Sequence, residues 1–244
     1  MNGAIPLPTG SPIYALMLLL GIAISVGYWL RVSKNDSRLP LIYFGGLAGA
    51  FVGAKISYLL AEGWLHTGDP QRWALWLSGK SVMGALPGGW IGVELAKKLM
   101  GYRKPTGDRF ALILPIPLIL GRLGCLHAGC CLGIVCPWGD WPAVPVEIGF
   151  QIVMLIALLV LNARRQLTGQ HFHLFLIAYG LFRFGHEFMR ATPKPMLGLS
   201  GYQWIALGTV LAAVVAWKKR AIQMNTELLD PSETMREIKN IDAS

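Results

Sequence analysis

Phe110-Ala-Leu-Ile-Leu-Pro-Ile-Pro-Leu-Ile-Leu-Gly-Arg122-Leu-Gly-Cys125-Leu-His127-Ala-Gly-Cys130-Cys131-Leu-Gly133 sets an arginine at the end of an apolar run. Four glycines and three of the chain's four cysteines crowd around it. An ionised side chain is costly inside hydrocarbon, so a retained intramembrane arginine points to function. Whether the run is intramembrane is settled by the rest of the chain. Hydrophobic residues make up 54% of the 244 positions and charged residues 14%, and mean hydropathy is +0.49. A soluble domain of this length does not have that balance.

The expected fold is therefore an all-α polytopic membrane protein. Runs able to cross roughly 30 Å of hydrocarbon fall at 12–32, 41–61, 82–100, 110–126, 146–161, 172–189 and 202–217, which makes seven spans. The fourth and fifth are short or interrupted, so six spans is the competing count. The first eleven residues carry no basic group, so the first run lacks the n-region of a cleavable signal peptide. One set of loops holds Arg31, Lys34, Arg38, Lys97, Lys98, Arg103, Lys104, Arg109, Arg164, Arg165, Lys218, Lys219 and Arg220. The alternate set holds only Arg72, Lys80, Arg190 and Lys194. The positive-inside rule puts the N-terminus outside and the C-terminus in the cytoplasm. Residues 1–220 then form one transmembrane domain, and 221–244 a polar cytoplasmic tail. The net charge of +9 reads as topology and contact with anionic lipid. A nucleic-acid partner is not expected, because the basic residues sit in short loops and form no continuous patch.

In this topology the second, fourth and sixth spans run from inside to outside. Lys55, Arg122, Arg183 and Glu187 lie in the outer part of their spans, and Glu147 lies just inside the outer start of the fifth. Five ionisable groups share one level near the outer leaflet. Tyr179, Arg183, Glu187 and Arg190 are spaced four, four and three apart, one stripe on a helix face. Arg183 with Glu187 also reads as a plain structural ion pair, and Lys55 as a snorkelling lysine. The arginine excess favours a lipid phosphate as guest, since guanidinium forks match phosphate oxygens.

Other features divide between packing and chemistry. Gly45, Gly49 and Gly53, with Gly46, Ala50 and Ala54, are spaced for close helix packing. Pro87-Gly88-Gly89 would loosen a helix start and free backbone amides for a ligand. Glu94 and Lys98 read as an i,i+4 pair. Trp64, Trp73, Trp76 and Trp90 suit a membrane interface, with the stretch from Trp64 to Trp76 lying on its surface. Cys125, Cys130, Cys131 and Cys136 admit a disulfide on an oxidising exterior, a thiolate activated by Arg122, or small residues packed at a bend. These thiolates with His127 among them also form a zinc-type ligand set, but their spacing matches no familiar zinc pattern, and no metal or other cofactor is expected. His127 and His186 are the imidazoles able to act as base.

Gly121-Arg122-x-Gly124 with Gly133, Tyr179-Gly-x-Phe-Arg183-Phe-x-x-Glu187-Phe-x-Arg190, Gly53-Ala-Lys55-x-x-Tyr58 and Pro87-Gly-Gly-Trp-Ile-Gly92 together resemble the prolipoprotein diacylglyceryl transferase family. The resemblance covers the membrane core from the first span to Gln203. It implies a seven-span enzyme of the bacterial cytoplasmic membrane. Its partners would be phosphatidylglycerol, or another anionic phospholipid, and the lipobox peptide of a prolipoprotein. Diacylglyceryl would pass to the lipobox cysteine and glycerol phosphate would leave. Arg122 and Arg183 would hold the phosphate, with Tyr179, Glu187 and Arg190 shaping the site. Candidate catalytic residues are His127, Arg183 and Glu187; candidate binding residues are Arg122, Lys55, Tyr179, Arg190, Glu147, Gly88 and Gly89.

The chain departs from the family pattern in places. Two usual asparagines and a glutamate are Cys125, Ala128 and Cys130, the usual histidine before the paired glycines is Pro87, and the usual His-Pro-x-Gln-x-Tyr-Glu is Val144 to Phe150. The outer segment between Gly133 and Pro145 is short. Two other functions fit the same residues: a lipid-headgroup enzyme with another acceptor or a nucleophilic Cys125 or Cys130, and a non-catalytic protein that binds anionic lipid. A transporter fits less well, because no ionisable residues continue across the inner half of the spans.

Overall fold

A computed structural model describes residues 12–229 apart from 35, 69 and 132. The described chain is helical: α1 Pro12–Val32, α2 Arg38–Ala61, α3 Arg72–Ser78, α4 Val82–Leu99, α5 Gly107–Ile113, α6 Pro115–Ala128, α7 Ala143–Ala163, α8 His171–His186 and α9 Gly201–Leu229. Short 3₁₀ turns at Gly63–His66 and Glu187–Met189 extend α2 and α8. A two-residue hairpin, β1 Val135–Cys136 with β2 Gly139–Asp140, lies between α6 and α7.

Among the described residues four stretches are long and apolar enough to cross a membrane: Pro12–Val32, Arg38–Ala61, Gly107–Ala128 and Ala143–Ala163. The third is the run around Arg122. It divides at Leu114, where Pro115 lacks the N–H that an unbroken helix needs. The other three expected spans are also helices, α4, α8 and α9. Helix α9 runs past Arg220 to Leu229, so the expected tail begins as helix; residues 230–244 and the first eleven lie outside the described residues.

Burial is arranged for a hydrocarbon solvent. Leu19, Phe44, Leu60 and Val153 face outward, while Glu147, Gln151, His171 and Gln203 are at most 1% exposed. In lipid every polar group must be satisfied inside the protein, so the polar residues turn inward. Apolar packing fills the space around them. Phe175, Leu176, Leu158, Ala206 and Ala213 form one buried cluster, and Trp29, Tyr43 and Val93 form another.

The tightest contact is α2 on α4. A Cβ on Gly53 would meet the Gly84 carbonyl and stand 2.8 Å from Gly88 Cα; one on Gly88 would stand 2.5 Å from the Gly49 carbonyl oxygen. The small residues let the backbones touch, as their spacing predicts. This corrects the reading of Gly88 and Gly89. Both lie inside a continuous α4 that begins at Val82, capped by Ser81 accepting from Met83 N. Their amides therefore sit in the helix interior rather than at a loosened start. Near the end of α4, Glu94 pairs with Lys97 at 3.0 Å rather than with Lys98, the i,i+3 alternative on the same surface.

Two polar tethers fix the ends of α8. Asp108 on α5 accepts hydrogen bonds from Gly169 N and, at 3.0 Å, from His171 N, satisfying amides at the start of α8. Gln203 on α9 donates to the Phe184 carbonyl at 3.1 Å. Helix α8 is thereby held to α5 and α9 at the height where its charged stripe begins.

Candidate functional site

The inward faces of α6, α7 and α8 converge on Glu147, 1% exposed. Glu147 Oε1 lies 2.9 Å from Arg122 Nε and accepts the Tyr179 hydroxyl at 2.7 Å. Oε2 lies 2.9 Å from Arg183 Nη1. Arg183 Nη2 then reaches Glu187 Oε2 at 2.9 Å, and Arg190 Nε stands 3.5 Å from the same oxygen. The result is an alternating chain, Arg122, Glu147, Arg183, Glu187, Arg190, drawn from three helices.

Local sequence explains each placement. Tyr179 and Arg183 lie on one face of α8, continued by Glu187 at the start of the 3₁₀ turn, so the first two reach the same carboxylate. Arg190 lies past the 3₁₀ turn, where Gly133 forms an antiparallel bridge with it and Ile134 N donates to the Met189 carbonyl at 3.0 Å. A Cβ on Gly133 would collide with the Trp141 carbonyl, so glycine is needed where the loop between α6 and α7 folds against α8. Ion pairs are favourable in a low-dielectric interior only when they are closely matched. Three guanidinium groups against two carboxylates leave one positive charge in excess.

The matching is also incomplete in hydrogen bonds. Arg183 Nε and Arg190 Nη1 are buried and make no hydrogen bond among the described residues. Gln151, one helical turn beyond Glu147, is fully buried with neither amide atom bonded, and His186 Nδ1 is likewise unbonded. A buried polar group without a partner costs about 1–3 kcal/mol. Several such groups around one charge cluster mark a place built to receive a polar guest. Gln151 escaped the sequence reading because it is uncharged; its signal was the i,i+4 spacing from Glu147 within an apolar span.

Other candidates lie elsewhere. Lys55 Nζ donates to the carbonyls of Trp76 and Gly79. It ties α2 to the end of α3 and does not join the charge chain, because depth fixed its height but not its direction around the helix. His127 is exposed at the end of α6, and no hydrogen bond or ion pair joins it to the cluster among the described residues. His186 Nε2 accepts from Trp141 Nε1 at 3.3 Å and the ring stacks on Phe182. That bond leaves the imidazole proton on Nδ1.

The four cysteines are free thiols. Cys125, Cys130 and Cys131 have their sulfurs within 4.8 Å of one another, beside Arg122 Nη1, which lies 3.5 Å from Cys131 Sγ. Hydrogen bonds from Cys125 and Cys130, with Arg122 adding to them, hold the Cys131 thiol below its ordinary range.

A cavity of about 760 Å³ lies apart from these charges, lined by Gly46, Ala50, Gly89, Trp90 and Phe110, and by Lys97 and Lys219. Its wall is largely apolar.

Fold and site together define a helical membrane protein with a buried arginine and carboxylate centre. Over residues 5–218 the chain matches the family described as prolipoprotein diacylglyceryl transferase, and it belongs to that family. It is 31% identical over 229 residues to the phosphatidylglycerol–prolipoprotein diacylglyceryl transferase of Nitratidesulfovibrio vulgaris, covering 81% of this chain and 83% of that one. The enzyme of the same name from Photobacterium profundum is 31% identical over 230 residues, with 82% and 83% covered. That from Chromohalobacter salexigens is 28% identical over 231 residues, with 83% of each covered.

Proposed function

We propose that this protein transfers the diacylglyceryl group of phosphatidylglycerol to the cysteine thiol of a prolipoprotein lipobox, at the outer leaflet of the bacterial inner membrane. The reading rests on family membership and on one observation above the rest: Arg183 Nε and Arg190 Nη1, buried guanidinium donors, have no hydrogen-bond partner among the described residues, beside an ion-pair chain with positive charge to spare. A phosphodiester supplies the oxygens those donors lack. Arg122, Arg183 and Arg190 bind the phosphate, while Glu147 and Tyr179 fix the first two arginines and Glu187 orients the second and third. As the carbon–oxygen bond to the leaving glycerol phosphate breaks, fixed guanidinium groups meet the charge that develops. His127, at the exposed end of α6, is the base for the acceptor thiol. The apolar cavity suits an acyl chain.

The accompanying topology has seven spans in one domain over residues 1–220, with the N-terminus outside and 221–244 in the cytoplasm. Loop basicity supports that orientation, and it brings the ion-pair chain to the outer leaflet.

The test supplies purified protein in nanodiscs with labelled phosphatidylglycerol and a lipobox peptide, and follows peptide lipidation and glycerol phosphate release together. Lipidation that falls at least about 100-fold in Arg122→Ala and Arg183→Ala variants that still fold supports the reading. Full activity in either variant excludes the phosphate clamp. Lipid binding with no turnover would leave a non-catalytic lipid-binding member.

A further inference from the structure

The three clustered thiols are not used by the phosphate site, and the way they are assembled is specific. Helix α6 ends at Ala128 with Gly129 in the left-handed region at φ +63°. Gly129 N bonds back to the Leu126 carbonyl at 3.4 Å and Cys130 N to the Cys125 carbonyl at 3.2 Å. This pair of bonds is a Schellman termination, which lays the residue after the left-handed glycine over the residue five before it. Here those two residues are Cys130 and Cys125.

Cys131 then takes φ +62° itself. A non-glycine residue there is strained, and such strain gathers at functional sites. The turn brings the third sulfur back to the other two, all within 4.8 Å. Tetrahedral zinc with Zn–S bonds of about 2.3 Å needs sulfurs about 3.8 Å apart, so a small closure forms the site. Arg122 Nη1 lies 3.5 Å from Cys131 Sγ and 3.9 Å from Cys125 Sγ, the N–H to sulfur support that metal thiolates take from their surroundings. Cys136 is not part of the group; its thiol bonds the Ile134 carbonyl at 3.8 Å. Cys125, Cys130 and Cys131 therefore provide three ligands and leave the fourth position open.

We infer that Cys125, Cys130 and Cys131 bind one zinc ion whose open position takes the acceptor thiol, next to the arginines that hold the phosphate. The acceptor role rests on the transferase reading; the metal site does not. A site with three protein ligands and one open position is the form catalytic zinc takes. Coordination deprotonates a thiol outright, and its proton passes to water or to His127. The bound sulfur then attacks the glycerol carbon, forming the C–S bond as the C–O bond breaks. The electron pair leaves with glycerol phosphate against Arg122 and Arg183. No electron is gained or lost overall, and one proton is released per transfer.

Full-length protein in detergent, reduced, incubated with zinc and desalted, is expected to keep one zinc per chain. Cys130→Ser and Cys131→Ser, chosen because these side chains are only half-buried, are expected to lose it while melting near the parent temperature. Cobalt in place of zinc should give the absorption of tetrahedral thiolate cobalt, and that spectrum should shift on adding a lipobox peptide but not its Cys→Ser analogue. No retained metal with all thiols reduced overturns the site. So does a disulfide among the three in freshly isolated protein whose reduced form takes up no zinc. Retained metal with a spectrum unmoved by the peptide overturns the acceptor role alone. The transferase reading is judged separately, by lipidation: chelation should abolish it and zinc restore it, whereas lipidation unaffected in the metal-free protein overturns the role of zinc and leaves the transferase reading intact.

Discussion

Arg122 on α6 and Glu147 on α7 are joined at 2.9 Å, and the other oxygen of the same carboxylate reaches Arg183 on α8 at the same distance. One buried carboxylate thus connects three helices and two cations. Replacing it with the isosteric Glu147→Gln keeps the shape, removes the carboxylate paired with Arg122 and leaves Arg183 only its pair with Glu187. Removing one partner of a buried pair costs about 3–5 kcal/mol, so a fall of at least that size is expected in denaturant or thermal unfolding in detergent. An E147Q protein as stable as the parent would show that the arginines do not depend on Glu147.

Lys55 tests the limit of reading depth from sequence. A common height was expected for charges on spans whose directions loop basicity predicts, and Arg122, Glu147, Arg183, Glu187 and Arg190 do meet. Height says nothing of the direction a side chain takes around its helix, and Lys55 points to the Trp76 and Gly79 carbonyls instead. Helix positions were legible for a similar reason: α1 occupies the expected 12–32, and α4 and α7 fall within a few residues of their runs. The thiol group was not legible, because it depends on left-handed backbone at Gly129 and Cys131 rather than on spacing. Lys55→Met should leave lipidation within about 3-fold of the parent, well short of the loss from removing a transition-state donor, and speed hydrogen exchange across 76–80. Lost lipidation with unchanged exchange there would place Lys55 in the substrate site.

Gly53 lies where the backbones of α2 and α4 touch. Any Cβ there meets the Gly84 carbonyl, which cannot move without shifting the helix. Gly53→Val should cost about 1–3 kcal/mol by overpacking, whereas the same change at Gly27, where a Cβ meets nothing within 4 Å, should cost far less. Equal melting temperatures for the two variants would contradict the packing.

Glu62 follows the end of α2, and burial raises its carboxyl above the ordinary glutamate range, against a hydrogen bond from Tyr202 that lowers it. The folded protein therefore holds this proton more tightly than the unfolded chain. Stability falls as pH rises from the ordinary glutamate value through the raised one, and above that the full cost is present. Glu62→Gln keeps an acceptor for Tyr202 and removes the charge. The variant should melt above the parent at neutral pH, with the gap closing on acidification. A gap that does not change with pH would show that Glu62 titrates normally.

Arg190 separates the phosphate clamp from the scaffold. Its neighbours Glu147 and Arg183 hold helices together, so losing activity by changing them would not distinguish binding from folding. Arg190 lies past the end of α8, tied by its backbone to Gly133, and its ion pair to Glu187 is the longest in the chain of charges at 3.5 Å. Its Nη1 has no partner among the described residues. Arg190→Ala should therefore leave the melting temperature nearly unchanged while lowering lipidation by about 100-fold, the usual loss on removing one donor to a developing anion. Arg190→Lys keeps the charge but not the fork and should recover only part of that loss. Full activity in R190A would remove Arg190 from the phosphate site and leave the clamp to Arg122 and Arg183.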